Sequence, residues 1–409
     1  MRVINKKLKS ILMVFVLVMM VTGCGNKQDS VTVNGTLGGK TDGAEHTTQE
    51  PTTQEPTTEP FVPTEINIKM IGDILMHEGV TNSGLLDDGT YNYDHIFANV
   101  KNEIQGADIA IVNQEVILGG KELGLSGYPC FNGPFEMGDA LVNAGFNVVL
   151  HATNHALDKG ATGIDNCLNF WKTSYPDMAV LGVAQTKEES ENIYVYEQNG
   201  IRIAILNYTY GTNGIALPTG REYMVNMLDE NRIINDLKRA KEMSDFVIVC
   251  PHWGPEYKNE PWNEPGSIYD EVGWAKLMAD NGADLIIAAH PHVIQPVEWI
   301  EGKDGNKTLC YYSLGNFVSN QDKAPRMLGA MADITISNTE DGQIYIKEYG
   351  VIPIVTHKLF GKQAITTYKL SDYTEELAAQ NKIKNEDGSF SLQYCKDLCR
   401  KVFGDLYKE

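Results

Sequence analysis

Histidine, carboxylate and carboxamide residues recur at matching places in this chain, each just after a short apolar run. Ile66–Ile71 leads to Gly72-Asp73, and 107–112 leads to Asn113-Gln114-Glu115. Val148–Leu150 leads to His151 through His155, 246–250 to His252-Trp253-Gly254, and 285–289 to His290-Pro291-His292. Imidazole nitrogen and carboxylate oxygen together suit zinc, manganese, iron and related divalent ions. Of nine histidines, His46, His95 and His357 have no such context, and the other six fall near these apolar runs. A lone histidine is most often a core or surface residue. Several at matching positions with Asp, Glu and Asn point to a metal site.

The sharpest local signal is His290-Pro291-His292. In an extended segment, residues two apart face the same way, so both imidazoles are expected to point into one cavity. Pro291 would stiffen the segment. The second signal is Asn154-His155-Ala156-Leu157-Asp158. The carboxamide of Asn154 can bind a metal, His155 is free for acid–base work near neutral pH, and Asp158 can orient it. The alternative is that Asn154 and Asp158 only cap a helix. Asp73 and Glu115 supply carboxylates, Glu115 being placed to bridge two cations. His252 follows a buried run and is expected to be a ligand. His77 reads equally as a ligand or as a helix residue, and His151 as structural. Trp253 and Tyr257 either wall a pocket or join the core.

These residues need elements to hold them. The apolar runs, with a further one at Ile201–Leu206, have the length and composition of buried strands. Between them, 134–144, 230–242 and 269–281 carry apolar residues at helical spacing. Strands alternating with helices indicate an α/β layered fold, in which ligands collect at the carboxyl ends of the strands. After about Met327, residues 329–337 and 343–349 read as strands joined by a turn at 338–342. Residues 351–355 read as a third strand, which Pro353 would confine to a sheet edge. Residues 372–408 read as mostly helical.

The N-terminus reads as targeting rather than fold. Arg2, Lys6, Lys7 and Lys9 precede an apolar run at 11–21 that ends in Thr22-Gly23-Cys24. That run is short for a membrane span and has the pattern of a signal peptide. Its ending looks like a bacterial lipobox, so Cys24 is the expected lipidation site and two or more acyl chains would anchor the chain. The stretch to residue 65 is polar, with the near-repeat TTQEP-TTQEP-TTEP. It cannot bury enough apolar surface to offset the entropy of ordering, and is expected to be a disordered, extended tether.

The net charge of −20 argues against nucleic acid, which requires clustered Lys and Arg, and against an electrostatic grip on anionic lipid. It is compatible with cations. Besides Cys24, the cysteines show no paired CxxC spacing, so no structural zinc knuckle is expected. Cys250 and Cys310 read as buried thiols.

Six segments in order resemble the CapA (poly-γ-glutamate capsule synthesis, PGA_cap) family. They are Gly72-Asp73-Ile74-Leu75-Met76, Asn113-Gln114-Glu115, Thr153 to Asp158, His252 to Tyr257, Gly282 to Gln295, and Tyr312-Ser313-Leu314-Gly315-Asn316-Phe317. The resemblance implies a calcineurin-like metallophosphatase fold, two stacked mixed sheets flanked by helices (αββα). It implies Asp73, Glu115, Asn154, His252, His290 and His292 as ligands of one or two Mn, Zn or Fe ions, and His155 as general acid. The phosphatase pattern differs at Leu75, where a histidine is usual, at Glu115 in place of a bridging aspartate, and at Ala156 in place of an acidic residue. The expected organisation is signal peptide and lipobox (1–24), tether (25–65), CapA-like domain (66–320) and a C-terminal α+β extension (321–409). Three functions follow: a membrane-anchored protein of capsule-polymer synthesis or export, a metal-dependent envelope hydrolase, or a non-catalytic polymer-binding module. Expected partners are the membrane, capsule-synthase membrane proteins and an anionic polymer.

Overall fold

The computed structural model describes residues 61–408. The signal segment, Cys24 and the tether up to residue 60 lie outside the described residues. In chain order the strands are β1 (Glu65–Ile74), β2 (Ile109–Asn113), β3 (Val148–Leu150), β4 (Ala179–Leu181), β5 (Tyr194–Gln198), β6 (Ile201–Thr209) and β7 (Phe246–His252). There follow β8 (Leu285–Ile287), β9 (Val297–Glu301), β10 (Lys307–Tyr311), β11 (Asn316–Val318), β12 (Leu328–Asn338), β13 (Ile344–Lys358) and β14 (Ile365–Lys369). Each apolar run singled out in the sequence is a strand, and the expected helices lie at Phe135–Ala144, Glu230–Met243 and Glu271–Asp280.

The strands form two mixed sheets. One runs β14-β13-β12-β1-β2-β3-β4, with β11 beside the end of β1; the other runs β5-β6-β7-β8-β10-β9. Period-two alternation builds the layers. Ile68, Met70, Ile109 and Ile111 of the first sheet meet Ile203, Ile248, Leu285 and Tyr311 of the second in one buried cluster. The opposite faces take helices. Val112 and Val149 pack with Met137, Leu141 and Trp171, and Val247 and Val249 pack with Leu237, Ala275 and Met278. The result is the four-layer αββα arrangement.

Two details differ from the sequence reading. Residues 351–355 are not a separate strand but the continuation of β13, which lies between β12 and β14. Pro353 is tolerated there because pairing with β14 begins only at Ile354. On its other side it lies opposite Ala330, whose N–H goes instead to the Leu314 carbonyl. The nitrogen without a hydrogen therefore falls where no ladder bond is needed. The segment after residue 320 supplies β12–β14 to the same sheet as β1, and its helical end packs Cys395, Cys399 and Phe403 into the inter-sheet cluster.

Candidate metal centre

The register of the first sheet places three side chains in one row. β1 pairs with β12 as far as Ile71, then turns to β11, so that Asp73 lies level with Asn113 on one side and Asn316 on the other. Gly72 permits this switch: a Cβ there would stand 1.9 Å from the Gly315 carbonyl oxygen. In the second sheet His252 ends β7 level with Thr209 and Ala289, and His290 follows directly. Both rows lie at the carboxyl ends of their strands, as expected for a layered α/β protein.

His290 and His292 converge, but not by alternation along an extended segment. They sit in a bend, with φ of 103° and 59°, and their rings lie 5.6 Å apart. Left-handed backbone at two non-glycine residues is strained, and such strain concentrates at functional sites. The bend is held from both sides. The His290 N–H points to Asp73 Oδ2 at 3.4 Å, and the Pro291 carbonyl accepts from the Tyr257 N–H at 2.8 Å.

Glu115 lies at the focus. It is fully buried, and neither carboxylate oxygen has a hydrogen-bond partner. Its Oε1 is 3.8 Å from His252 Nε2 and 3.7 Å from His292 Nε2. His252 Nε2 in turn lies 2.9 Å from Asn154 Oδ1 and 3.2 Å from His290 Nδ1. Donor atoms of Glu115, His290 and His292 all fall within 4.8 Å of one another, close enough to hold a metal ion. Buried polar atoms are almost always satisfied, so an orphaned carboxylate ringed by imidazoles fits a cation.

Asp73 supports this cluster from behind. Its Oδ1 accepts from Asn113 Nδ2 at 2.8 Å, and its Oδ2 lies 3.0 Å from His292 Nδ1. Asn316 Oδ1 reaches the same nitrogen at 3.1 Å. Two acceptors at Nδ1 assign the proton there and leave Nε2 toward Glu115, the usual way a carboxylate orients a ligating histidine.

The electrostatics follow from burial. Desolvation pushes the Glu115 carboxyl well above its usual range. Burial and the neighbouring imidazoles hold His252 and His290 well below theirs, so both are neutral and able to ligate. At His292 burial opposes the charge, but Glu115 and Asp73 outweigh it and raise the metal-free group to about 9, so a cation bound there would displace its Nε2 proton.

His155 stands beside the cluster. Its Nδ1 lies 2.7 Å from Asp158 Oδ2, which also accepts the Phe131 N–H at 2.7 Å. Asn154 and Asp158 do not cap the following helix, whose cap position is Lys159 with no side-chain bond. His77 takes the cap position of the short helix Glu78–Ser83, with its ring 5.4 Å from Phe131. Burial first and then His292 lower it to about 4, so it is a neutral neighbour and not part of the close donor group. His151 lies apart, accepting from Trp171 Nε1 at 3.2 Å. Trp253 is core, while Tyr257 is 40% exposed with its ring 6.0 Å from His292.

Several site residues carried no role in the sequence. Asn316 was visible only as a member of the Tyr312–Phe317 motif. Asn213 bridges Asn154 and His155 from a loop without a motif. The ring of Tyr210 packs 4.6 Å from His290.

Known proteins place the chain. It is 29% identical over 271 residues to the capsule biosynthesis protein CapA of Bacillus anthracis, covering 63% of this chain and 60% of that protein. It is 29% identical over 229 residues to the PGA biosynthesis protein CapA of Bacillus subtilis (strain 168), covering 53% of each. The chain therefore spans little more than half the length of these curated relatives. A solved structure of a putative 5'-nucleotidase from Staphylococcus aureus in complex with alpha-ketoglutarate superposes at a TM-score of 0.46 with 14% identity, over 82% of this chain and 58% of that one. Residues 67–321 match the family described as bacterial capsule synthesis protein PGA_cap. The chain belongs to that family.

Proposed function

We propose that this chain is a lipid-anchored protein of the extracytoplasmic face of the cell membrane, acting in the synthesis or export of an anionic capsule polymer such as poly-γ-glutamate. We further propose that its centre binds one or two divalent ions (Mn, Zn or Fe) for hydrolysis. The observation that carries the second reading is Glu115, a fully buried carboxylate with both oxygens unpartnered. Family membership and the names of the Bacillus relatives support the first. Cys24 would be the attachment point; among the described residues no helix is long and apolar enough to cross a membrane. Capsule-synthase membrane proteins and the polymer are the proposed partners, and nucleic acid is not.

Asp73, Glu115, Asn154, His252, His290 and His292 would hold the ions, with Asp73 also orienting His292. A divalent ion bound there supplies Lewis-acid polarisation and lowers the pKa of water. The chain's own part is proton handling and orientation. Asp158 accepts from His155 Nδ1–H and fixes the tautomer, so Nε2 is the atom that exchanges a proton with the reacting group. Phe131, whose ring lies 4.6 Å from His155, walls that side. The test is turnover of a generic phosphodiester and of γ-linked glutamate oligomers by the metal-loaded protein. His155→Ala should lower turnover by about 10²–10⁴ with metal content unchanged. Metal-loaded wild type that turns over neither would refute hydrolysis and leave a binding role.

A further inference from the structure

We propose that Arg326 holds a second anionic group of the substrate, a carboxylate or a phosphate, beside the metal centre. This rests on the reading of the centre as a place where substrate reacts. Arg326 lies on the short 3-10 turn Ala324–Met327, and its guanidinium stacks 3.6 Å over the Tyr257 ring. That ring is 6.0 Å from His292, so the cation stands one aromatic ring from the centre. Its backbone is tied to the same place. The Arg326 carbonyl accepts from Asn316 Nδ2 at 3.0 Å, and Asn316 Oδ1 lies 3.1 Å from His292 Nδ1.

The guanidinium is under-used. Of its five N–H donors, one reaches Asp322 Oδ1 at 3.3 Å, on a residue 63% exposed. Such a pair is weak and easily exchanged for another anion. The Arg326 side chain itself is 21% exposed, open enough to meet a ligand and shielded enough for the contact to count. The stack on Tyr257 holds the guanidinium in place, and its planar fork can grip a carboxylate or phosphate with two parallel bonds. Tyr257 is held in turn by Gln321 Nε2 at its hydroxyl and by its own N–H on the Pro291 carbonyl. In a chain of net charge −20, a cation fixed at this place selects for a substrate with an anionic group next to the one that reacts.

The test is calorimetric titration of the manganese-loaded protein with a short γ-linked glutamate oligomer and, separately, with inorganic phosphate. Wild type, Arg326→Ala and Asp322→Ala are compared, each with its metal content measured. Arg326→Ala should weaken binding by about tenfold or more with metal content unchanged, and Asp322→Ala should leave it as tight or tighter. Loss confined to the oligomer identifies a carboxylate, and loss confined to phosphate identifies a phosphate. Equal affinities in wild type and Arg326→Ala, or no binding of either probe to wild type, would overturn the proposal. Equal losses in Arg326→Ala and Asp322→Ala would also overturn it, showing that the pair only shapes the wall. A wild type that takes up no metal yet binds the oligomer through Arg326 would refute the metal centre and leave this inference standing.

Discussion

Replacing Glu115 with glutamine should separate the metal-free and metal-loaded stabilities in opposite directions. The carboxyl is fully buried, and neither oxygen has a hydrogen-bond donor. Without a cation its compensation is His292, whose Nε2 is 3.7 Å away. Glutamine has the same shape and no charge, so the metal-free variant should be as stable as metal-free wild type or more stable, by about 1–3 kcal/mol. Metal at a hundredfold over its dissociation constant stabilises wild type by about 2.7 kcal/mol. Unfolding entropy of roughly 2.1 cal/mol/K per residue gives about 0.7 kcal/mol/K for a unit of about 350 residues, so the melting temperature should rise by about 4 K. The variant lacks the shared ligand and should rise by less than about 1 K. The assay is differential scanning calorimetry of chelator-treated protein before and after titration with manganese, zinc or iron. Equal shifts in wild type and variant would refute the role given to Glu115.

Three further outcomes are expected. Burial raises the Glu271 carboxyl to about 8, with Trp262 and Gln295 hydrogen bonds only partly offsetting it. The folded state then holds this proton more tightly than the unfolded state. Its contribution to stability is complete below about pH 4.5 and is lost as pH rises to about 8, at up to about 1.4 kcal/mol per pH unit. Glu271→Gln should flatten urea-unfolding stability across that window, and an unchanged pH slope would contradict the assignment. Lys358 is buried, donating to the Gln321 carbonyl and to Glu386 Oε2, both at 2.7 Å. Lys358→Met should cost about 1–3 kcal/mol in urea unfolding, with part recovered by adding Glu386→Gln; no loss would mean the pair contributes nothing. Asp158→Asn should lower turnover without lowering metal content, because it disturbs the His155 tautomer and not the ligands; loss of metal would contradict that division of roles.

Much of this architecture was legible because strand burial imposes a local pattern. The runs ending at Asn113, Leu150, His252 and Ala289 are apolar on both faces, since each sheet is covered by helices outside and by the other sheet inside, while the run ending at Asp73 carries Asn67 and Lys69 on its outer face and becomes fully buried only from Met70. Their abrupt polar ends marked the site before any contact was known. What could not be read was geometry set by distant partners. The His290-Pro291-His292 bend depends on Asp73 and Tyr257, far away in sequence, and an extended reading was the natural local one. Asp73 reads as a ligand by residue type, but its contacts with Asn113, the His290 N–H and His292 Nδ1 come from segments far away in sequence. Arg326 and Asn213 lie in turns with no periodicity, so only folding brings them to the centre. Pro353 suggested an edge because sequence does not show that β14 pairs only from Ile354.

The central claim is that Glu115 and the three histidines hold metal. Elemental analysis of the purified unit from Pro60 to Glu409, wild type against His290→Ala with His292→Ala, tests it most directly. The account predicts about one to two transition-metal ions per wild-type chain and loss of metal in the double variant, with folding retained by circular dichroism. A wild type that binds no metal after reconstitution with manganese, zinc or iron, or a double variant that keeps its full complement, would contradict it.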